Sequence, residues 1–478
     1  MRDFSTACEE HQEPVEQLNR SYPEISGTKA LVVGLGATGL AAAQFLHHRG
    51  AQVTVSEVRP EAAVLPALRA LREQGIAVET GGHRLPLFLA ADLIVVSPGV
   101  ALETPPLRAA ADRGVEIISE IELAYRFIST PMIAVTGTNG KTTTVKLMAE
   151  MFRRAGIEAF LGGNVGNPLI EYALHGRSAR FIIAEISSFQ LEGIRSFRPF
   201  ISVLLNLQQD HLDRYDSYDA YVAAKARIFA NQRERDYALL NADDPDARKL
   251  TSAVRATLLT FSSGRPVPVG IYHRDRLLHY RVGNEQATYA ADRLRLQGTH
   301  NLHNIMAAAA VSTLCGCAPD AIQHTIEEFT TLHHRLEFLL EHKGIRFYND
   351  SKATNVGSVV SALDSMSPPL ILIAGGKDKG GDYDPLIPLL KEKVKALVLI
   401  GEARHKMREA LQSSTTIILA DSLEDAFRRS VTEASPGDTV LLSPACSSFD
   451  MFTGYEQRGD AFSALVRRFA GNHVRGKP

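Results

Sequence analysis

The stretch Thr136-Gly137-Thr138-Asn139-Gly140-Lys141-Thr142-Thr143 carries the densest chemistry in the sequence. Successive backbone N–H groups of a glycine turn form a nest for anions. A lysine adds charge at the β- and γ-phosphates, and a threonine offers its hydroxyl to Mg2+. The apolar run Met132–Val135 precedes the turn and a helical pattern follows it, which is the strand–turn–helix setting such a loop needs. The strict Walker pattern places glycine at 135, where this chain has Val135, so Lys141-Thr142 at the helix start carry the reading. The expected ligand is a triphosphate of the ATP type.

A second glycine turn, Gly34-Leu35-Gly36-Ala37-Thr38-Gly39, follows a short strand and opens a helix, and Glu57 ends the next strand. This is the setting of a diphosphate-binding turn, in which glycines let the backbone approach a pyrophosphate at a helix start. It is equally the setting of a tight turn that only permits close packing. The motif does not choose between NAD and a nucleotide sugar.

Other polar residues collect at predicted strand ends. Phe181–Ala184 runs into Glu185-Ile186-Ser187-Ser188, and an acid beside a phosphate loop is positioned to hold Mg2+ directly or through water. The next strand ends at Asn206 and is followed by Asp210-His211-Leu212-Asp213. The ordinary reading of Lys225, in the helical segment Tyr218–Phe229, is a solvated face or an ion pair. Cys315 and Cys317 lie in an apolar helical stretch without a second pair, so they read as small buried residues and not as a zinc site. Cys446 has no matched base beside it and reads as a small packing residue and not as a nucleophile.

The elements that must position these residues alternate. Strands are predicted at Ala30–Val33, Gln52–Val55, Asp92–Val96, from Met132, and at Phe181–Ala184, Phe200–Leu205, Tyr237–Leu240, Leu370–Ala374, Ala396–Ile400 and Thr439–Leu442, with helices between. Such alternation indicates parallel βαβ units. The 478 residues, at roughly 150 per domain, suggest three domains. We expect an acidic tail (1–26) and α/β domains at 27–125, 126–331 and 332–478. Lys+Arg number 52 and Asp+Glu 54, for a net charge of -2, which argues against a nucleic-acid binder that works by phosphate neutralisation. Four scattered cysteines exclude a disulfide scaffold. The first ten residues lack a signal-peptide pattern, and no apolar run reaches the roughly 18 residues of a membrane span. The expected location is the cytoplasm.

Further ordered motifs complete the picture: GGNVG (162–166), EISSFQLE (185–192), DHLDRY (210–215), LNADD (240–244), GTHNLHN (298–304), HRLE (334–337), NDSKATN (349–355), GGKDKG (375–380) and SPACSSFDMFTGYEQRG (443–459). Together with the loop at 136–143 they resemble the Mur ligases, the ADP-forming amide ligases that build the peptide stem of peptidoglycan. The resemblance runs from about Lys29 to Arg468. It implies a Rossmann-like first domain, a central P-loop ATPase-like domain with a mostly parallel sheet, and a Rossmann-like third domain.

Carried onto this sequence, the resemblance implies that Gly137, Thr138, Asn139, Gly140, Lys141, Thr142, Thr143, Asn304, Arg335 and Asp350 hold ATP. Thr142 and Glu185 would hold one Mg2+ and His211 a second, with Lys225 converted by CO2 to a carbamate that acts as a ligand. Lys141, His211 and Lys225 are the catalytic candidates. Gly36, Ala37, Thr38, Gly39, Glu57, Arg59, Ser97, Asn164 and Ser187 would hold the UDP-sugar, which resolves the first glycine turn in favour of a nucleotide sugar. Lys352, Thr354, Lys379, Ser448, Phe449 and Tyr455 would surround the incoming amino acid. The implied substrates are UDP-N-acetylmuramoyl-L-alanine and D-glutamate; a monomeric enzyme with no nucleic-acid partner and no membrane insertion is expected. Relatives can carry phenylalanine at Tyr455 and leucine at Phe449. A nicotinamide oxidoreductase would use only the turn at Gly34–Gly39 and leave Lys141 unexplained. A P-loop switch would leave NDSKATN unexplained.

Overall fold

The computed structural model describes residues 24–176, 178–212, 214–296, 298–330, 333–380 and 382–471. Most of the expected acidic tail, with Cys8, lies outside the described residues, as does Asp213.

Three sheets organise the chain. The first contains β1 (Lys29–Val33), β2 (Gln52–Ser56), β3 (Ala77–Glu79), β4 (Leu93–Val96) and β5 (Glu116–Ser119) in the order β3-β2-β1-β4-β5, all parallel. The second contains β6 (Met132–Thr136), β7 (Ala159–Gly163), β8 (Phe181–Glu185), β9 (Ile201–Leu204), β10 (Tyr237–Asn241), β11 (Thr257–Ser262), β12 (Gly270–Arg274), β13 (Leu277–Val282) and β14 (Glu285–Ala290). Its order is β14-β13-β12-β11-β10-β9-β6-β8-β7, parallel except for the antiparallel meander β12–β14. The third contains β15 (Glu337–His342), β16 (Ile345–Asn349), β17 (Leu370–Gly375), β18 (Val394–Ile400), β19 (Thr416–Leu419) and β20 (Thr439–Leu442) in the order β15-β16-β20-β17-β18-β19. Only β15 is antiparallel to its neighbour there.

Central strands covered on both faces need continuous apolar runs. β4, β6, β8 and β17 accordingly are buried at every residue. The expected strands are all present with ends shifted by a residue or two. The meander β12–β14 departs from the expected alternation.

The described residues form two compact units. One holds the chain through Leu207 with Val222–Arg293 and His303–Glu327, and so contains the first two sheets; the other holds Gln208–Tyr221, Leu294–Leu302 and the chain from Glu328, with the third sheet. The helix Glu120–Tyr125 explains why the first two sheets share a unit. Its fully buried Glu122 accepts the N–H groups of Arg195 (2.9 Å), Ser196 (3.0 Å) and Phe197 (2.8 Å) and pairs with Arg126. Glu120 accepts the N–H of Ile170 at 2.7 Å. Among the described residues no helix is long and apolar enough to cross a membrane.

Candidate functional site

In an open parallel sheet, ligands bind beyond the carboxyl ends of strands, where neighbouring connections leave in opposite directions. β6 sits at such a point, between β8 and β9, and the phosphate loop follows it. The helix Lys141–Arg154 starts from Gly140, which adopts φ 88°, a left-handed conformation that favours glycine. A Cβ there would lie 2.1 Å from Asn304 Oδ1, so Asn304 packs directly on the loop. Asn206, just beyond β9, braces the loop from the other side: its Oδ1 accepts the Asn139 N–H at 2.8 Å and its amide donates to the Asn139 carbonyl at 3.0 Å.

Around this loop the structure brings together most of the predicted ATP and metal residues of the first unit. Lys141 Nζ donates to the carbonyls of Gly137 (2.7 Å) and Thr138 (2.9 Å). Lys225, 2% exposed, donates to the same Gly137 carbonyl at 3.0 Å. Thr138, Thr142 and Thr143 are buried beside it. Thr142 Oγ1 donates to Glu185 Oε2 at 2.8 Å, and Asn164 Nδ2 donates to Glu185 Oε1 at 2.8 Å. These oxygen donors suit a hard cation such as Mg2+, which takes few protein ligands and completes its shell with phosphate and water. Ser187 caps the helix Ser188–Glu192, with its hydroxyl engaged by Gln190. Among the described residues no group of three or more His, Cys, Asp and Glu is arranged to hold a metal ion.

The first glycine turn lies beyond β1, between β2 and β4. Its three glycines have different surroundings. Gly34 adopts φ 94°, a Cβ on Gly39 would lie 1.8 Å from the Gly34 carbonyl oxygen, and a Cβ on Gly36 would meet nothing within 4 Å. Gly39 therefore serves close packing, whereas Gly36 leaves open space at the start of the helix Ala37–His48. Ala37 and Thr38 form the helix's first turn, and Ser97 donates to the Gly34 carbonyl at 3.1 Å. Glu57, 3% exposed, turns inward: it accepts the Leu35 N–H at 2.6 Å and pairs with Arg59 at 2.9 Å. Burial alone would raise its pKa, but the Arg59 guanidinium and the N–H groups of Arg59 and Leu35 outweigh this and hold the carboxyl at about 2. Glu57 thus shapes the turn through its backbone and anchors the half-exposed Arg59.

The second unit holds the remaining predicted residues. Asp350, beyond β16, is 4% exposed, accepts from Ser443 Oγ at 2.7 Å and from the Leu336 N–H at 3.1 Å, and burial pushes its pKa up to about 7 against the nearby charge of Arg335. Lys352 Nζ lies 5.2 Å from the centre of the Tyr455 ring. Thr354 follows in the same loop, with its N–H on the Lys352 carbonyl at 2.9 Å. Ser448 is buried, while Phe449 is 69% exposed. Lys379 Nζ lies 3.5 Å from Asp210 Oδ1. His211 adopts the left-handed φ of 57°, uncommon for a residue with a Cβ. Cys446 is a buried free thiol pushed up to about 11 by burial, which makes it a packing residue.

One residue of this unit was not singled out by sequence reasoning. Arg458, fully buried, donates to Ser351 Oγ (3.0 Å) and to the carbonyls of Ser351 (2.9 Å), Cys446 (3.2 Å) and Ser447 (3.3 Å). It therefore fastens the NDSKATN loop to the segment before Ser448. Asp210 was named with His211 beyond its strand end, but its contacts with Asn355 and Lys379 were not. Each lies inside a quoted motif, but their partners sit far away in sequence, and spacing carries no signal of that.

The fold and loop define a phosphate-binding α/β protein with its sites at strand carboxyl ends. Family models then match three successive stretches: the Mur ligase MurD-like N-terminal domain at 28–119, the Mur ligase middle domain at 135–312 and the Mur ligase glutamate ligase domain at 334–446. The chain belongs to the Mur ligase family. Proteins named UDP-N-acetylmuramoylalanine–D-glutamate ligase from Geotalea uraniireducens and Pelobacter propionicus are 49% and 50% identical to it over 444 residues. The matches cover 93% of this chain and 98% and 99% of theirs. Among solved structures, a pseudomurein peptide ligase type C from Methanothermus fervidus aligns with TM-score 0.60 at 19% identity, over 93% of this chain and 100% of its own. A MurF ligase from Thermotoga maritima in complex with ADP aligns with TM-score 0.59 at 16% identity, over 94% and 100%. These two likenesses concern the fold.

Proposed function

We propose that the chain is an ATP-dependent amide ligase that joins D-glutamate to UDP-N-acetylmuramoyl-L-alanine in peptidoglycan precursor synthesis. The observation that carries the proposal is the phosphate loop with Thr142 and Glu185 in contact across its strand-end gap; the near-full-length relatives supply the choice of amino acid. The L-alanyl carboxylate attacks the γ-phosphorus of ATP, giving an acyl phosphate and ADP. The amine of D-glutamate then attacks the acyl carbon, the C–O bond to phosphate breaks, and the amine proton leaves to base.

Phosphoryl transfer needs charge neutralisation and alignment more than covalent help. Lys141 and the loop N–H groups supply the first from the protein. Bound Mg2+ at Thr142 and Glu185, with a second ion at His211, would neutralise phosphate oxygens. Asn304 fixes the loop, and Arg335 and Asp350 serve the nucleotide. Gly36–Gly39, Glu57, Arg59, Ser97, Asn164 and Ser187 serve the UDP-sugar, whereas Lys352, Thr354, Lys379, Ser448, Phe449 and Tyr455 serve the dianionic amino acid, whose desolvation demands cations and donors.

A carbamate on Lys225 is part of the proposal. Lys141 and Lys225 direct two ammonium groups at one carbonyl oxygen, and conversion of the buried one to an anion would replace repulsion by attraction. The proposal further includes domains at 27–125, 126–331 and 332–478 and a monomer in the cytoplasm, a compartment that keeps thiols such as the free Cys315, Cys317 and Cys446 reduced. ADP release that requires both UDP-N-acetylmuramoyl-L-alanine and D-glutamate tests the reading; release without the amino acid would oppose it.

A further inference from the structure

Asp210 occupies an unusual position for a carboxylate that the proposed chemistry leaves without a role. Its side chain is 7% exposed and both oxygens are engaged. Oδ1 accepts the His211 N–H at 3.0 Å and faces Lys379 Nζ at 3.5 Å, while Oδ2 accepts from Asn355 Nδ2 at 2.9 Å and lies 3.6 Å from His211 Nε2. Asn355 in turn caps the helix Val356–Ser365, its Oδ1 accepting the Ser358 N–H at 2.8 Å. One buried carboxylate therefore ties together three segments distant in sequence. Each carries a residue assigned above to the reaction: His211, Thr354 beside Asn355, and Lys379.

We propose that Asp210 is a positioning residue for the amino-acid-binding step, acting through Lys379 and Asn355. The inference rests on the reading of the chain as a D-glutamate ligase. A lysine ammonium is a compact point charge on a flexible four-carbon stem, and an ion pair restricts where it sits. Asp210 aims Lys379 at the pocket before the substrate arrives, which lowers the ordering cost of binding a carboxylate. Through Asn355 it fixes the start of the helix behind Thr354, and through the His211 N–H it helps hold that residue's left-handed backbone. Removal of the carboxylate loosens the cationic wall of the pocket without touching the phosphate loop.

Separate KM values for the three substrates test this in the full-length enzyme. Wild-type turnover with D-glutamate is measured first; its absence would remove the functional reading itself. Given that turnover, Asp210→Ala raises the D-glutamate KM by about tenfold or more, the KM for the UDP-sugar stays within about twofold, and that for ATP, reached only through His211, rises by less than that for D-glutamate. Asp210→Asn, which keeps an oxygen acceptor but not the charge, gives a smaller rise. Where a variant turns over too slowly, calorimetric titration of D-glutamate into enzyme loaded with the UDP-sugar and a non-hydrolysable ATP analogue reads the same ratio. A double-mutant cycle with Lys379→Gln separates this role from a merely structural one: once Lys379 is gone, Asp210→Asn adds less than about twofold. Additive effects, an unchanged D-glutamate KM, or an equal rise in all three KM values would overturn the proposal.

Discussion

Lys141 and Lys225 meet at the Gly137 carbonyl, Thr142 meets Glu185 at the end of β8, and their roles separate by substitution. Lys141→Ala removes the loop's own cation and should lower kcat by about 10²–10³, the range typical for loss of one transition-state charge donor, with the fold intact by circular dichroism. Glu120 allows a pH test. Burial raises its pKa from 4.5 to about 7 against the N–H groups of Ile170 and Leu169, so the folded state binds more protons than the unfolded state across that window. Stability is therefore fully present below pH 4.5 and declines as pH rises towards 7. Glu120→Gln keeps an acceptor for Ile170 and cannot ionise. Its stability relative to wild type should increase across the window by up to about 3 kcal/mol and then level off. Urea unfolding at several pH values measures this, and a pH-independent difference would contradict the assignment. Most of these residues were legible as types at strand ends. Arg458 was not, and neither were the partners of Asp210, because Ser351 lies more than a hundred residues from Arg458 and Asn355 more than a hundred from Asp210.

At the scale of elements, the first glycine turn separates packing from ligand approach. Gly39→Ala places a Cβ against the Gly34 carbonyl and should destabilise the fold by more than 1–3 kcal/mol, roughly the cost of ordinary overpacking. Gly36→Ala meets no atom of the described residues within 4 Å beyond its chain neighbours, so melting should change little while the KM for the UDP-sugar rises. Equal melting temperatures for the two variants would sink this division of labour. The buried parallel strands could be read from their apolar runs. The meander β12–β14 could not, because Asp275 and Arg276, at φ 52° and 62°, make its first turn without the Asn-Gly or Asp-Gly signature that usually marks such hairpins. The β15–β16 hairpin turns similarly on Lys343-Gly344, at φ 54° and 76°.

Across the whole molecule, the proposed binding residues lie at the carboxyl ends of three sheets, of which the first two belong to one compact unit. Glu122 is central to that union. Glu122→Ala leaves the N–H groups of Arg195, Ser196 and Phe197 without their acceptor and should cost about 3 kcal/mol, read as an earlier urea transition. An unchanged midpoint would show that the apolar core alone holds the two sheets together. The sequence alternation indicated separate α/β blocks, but not that buried carboxylates would join two of them, since the partners of Glu120 and Glu122 lie 50 or more residues away. The overall charge of -2 is compatible with three anionic substrates because Arg59, Lys141, Lys225, Lys352 and Lys379 are distributed among the candidate sites. The central claim is tested most directly by ADP release from ATP in the presence of UDP-N-acetylmuramoyl-L-alanine and a panel of D- and L-amino acids. The account predicts turnover with D-glutamate well above that with any other amino acid; turnover with L-lysine or meso-diaminopimelate but not D-glutamate would contradict it.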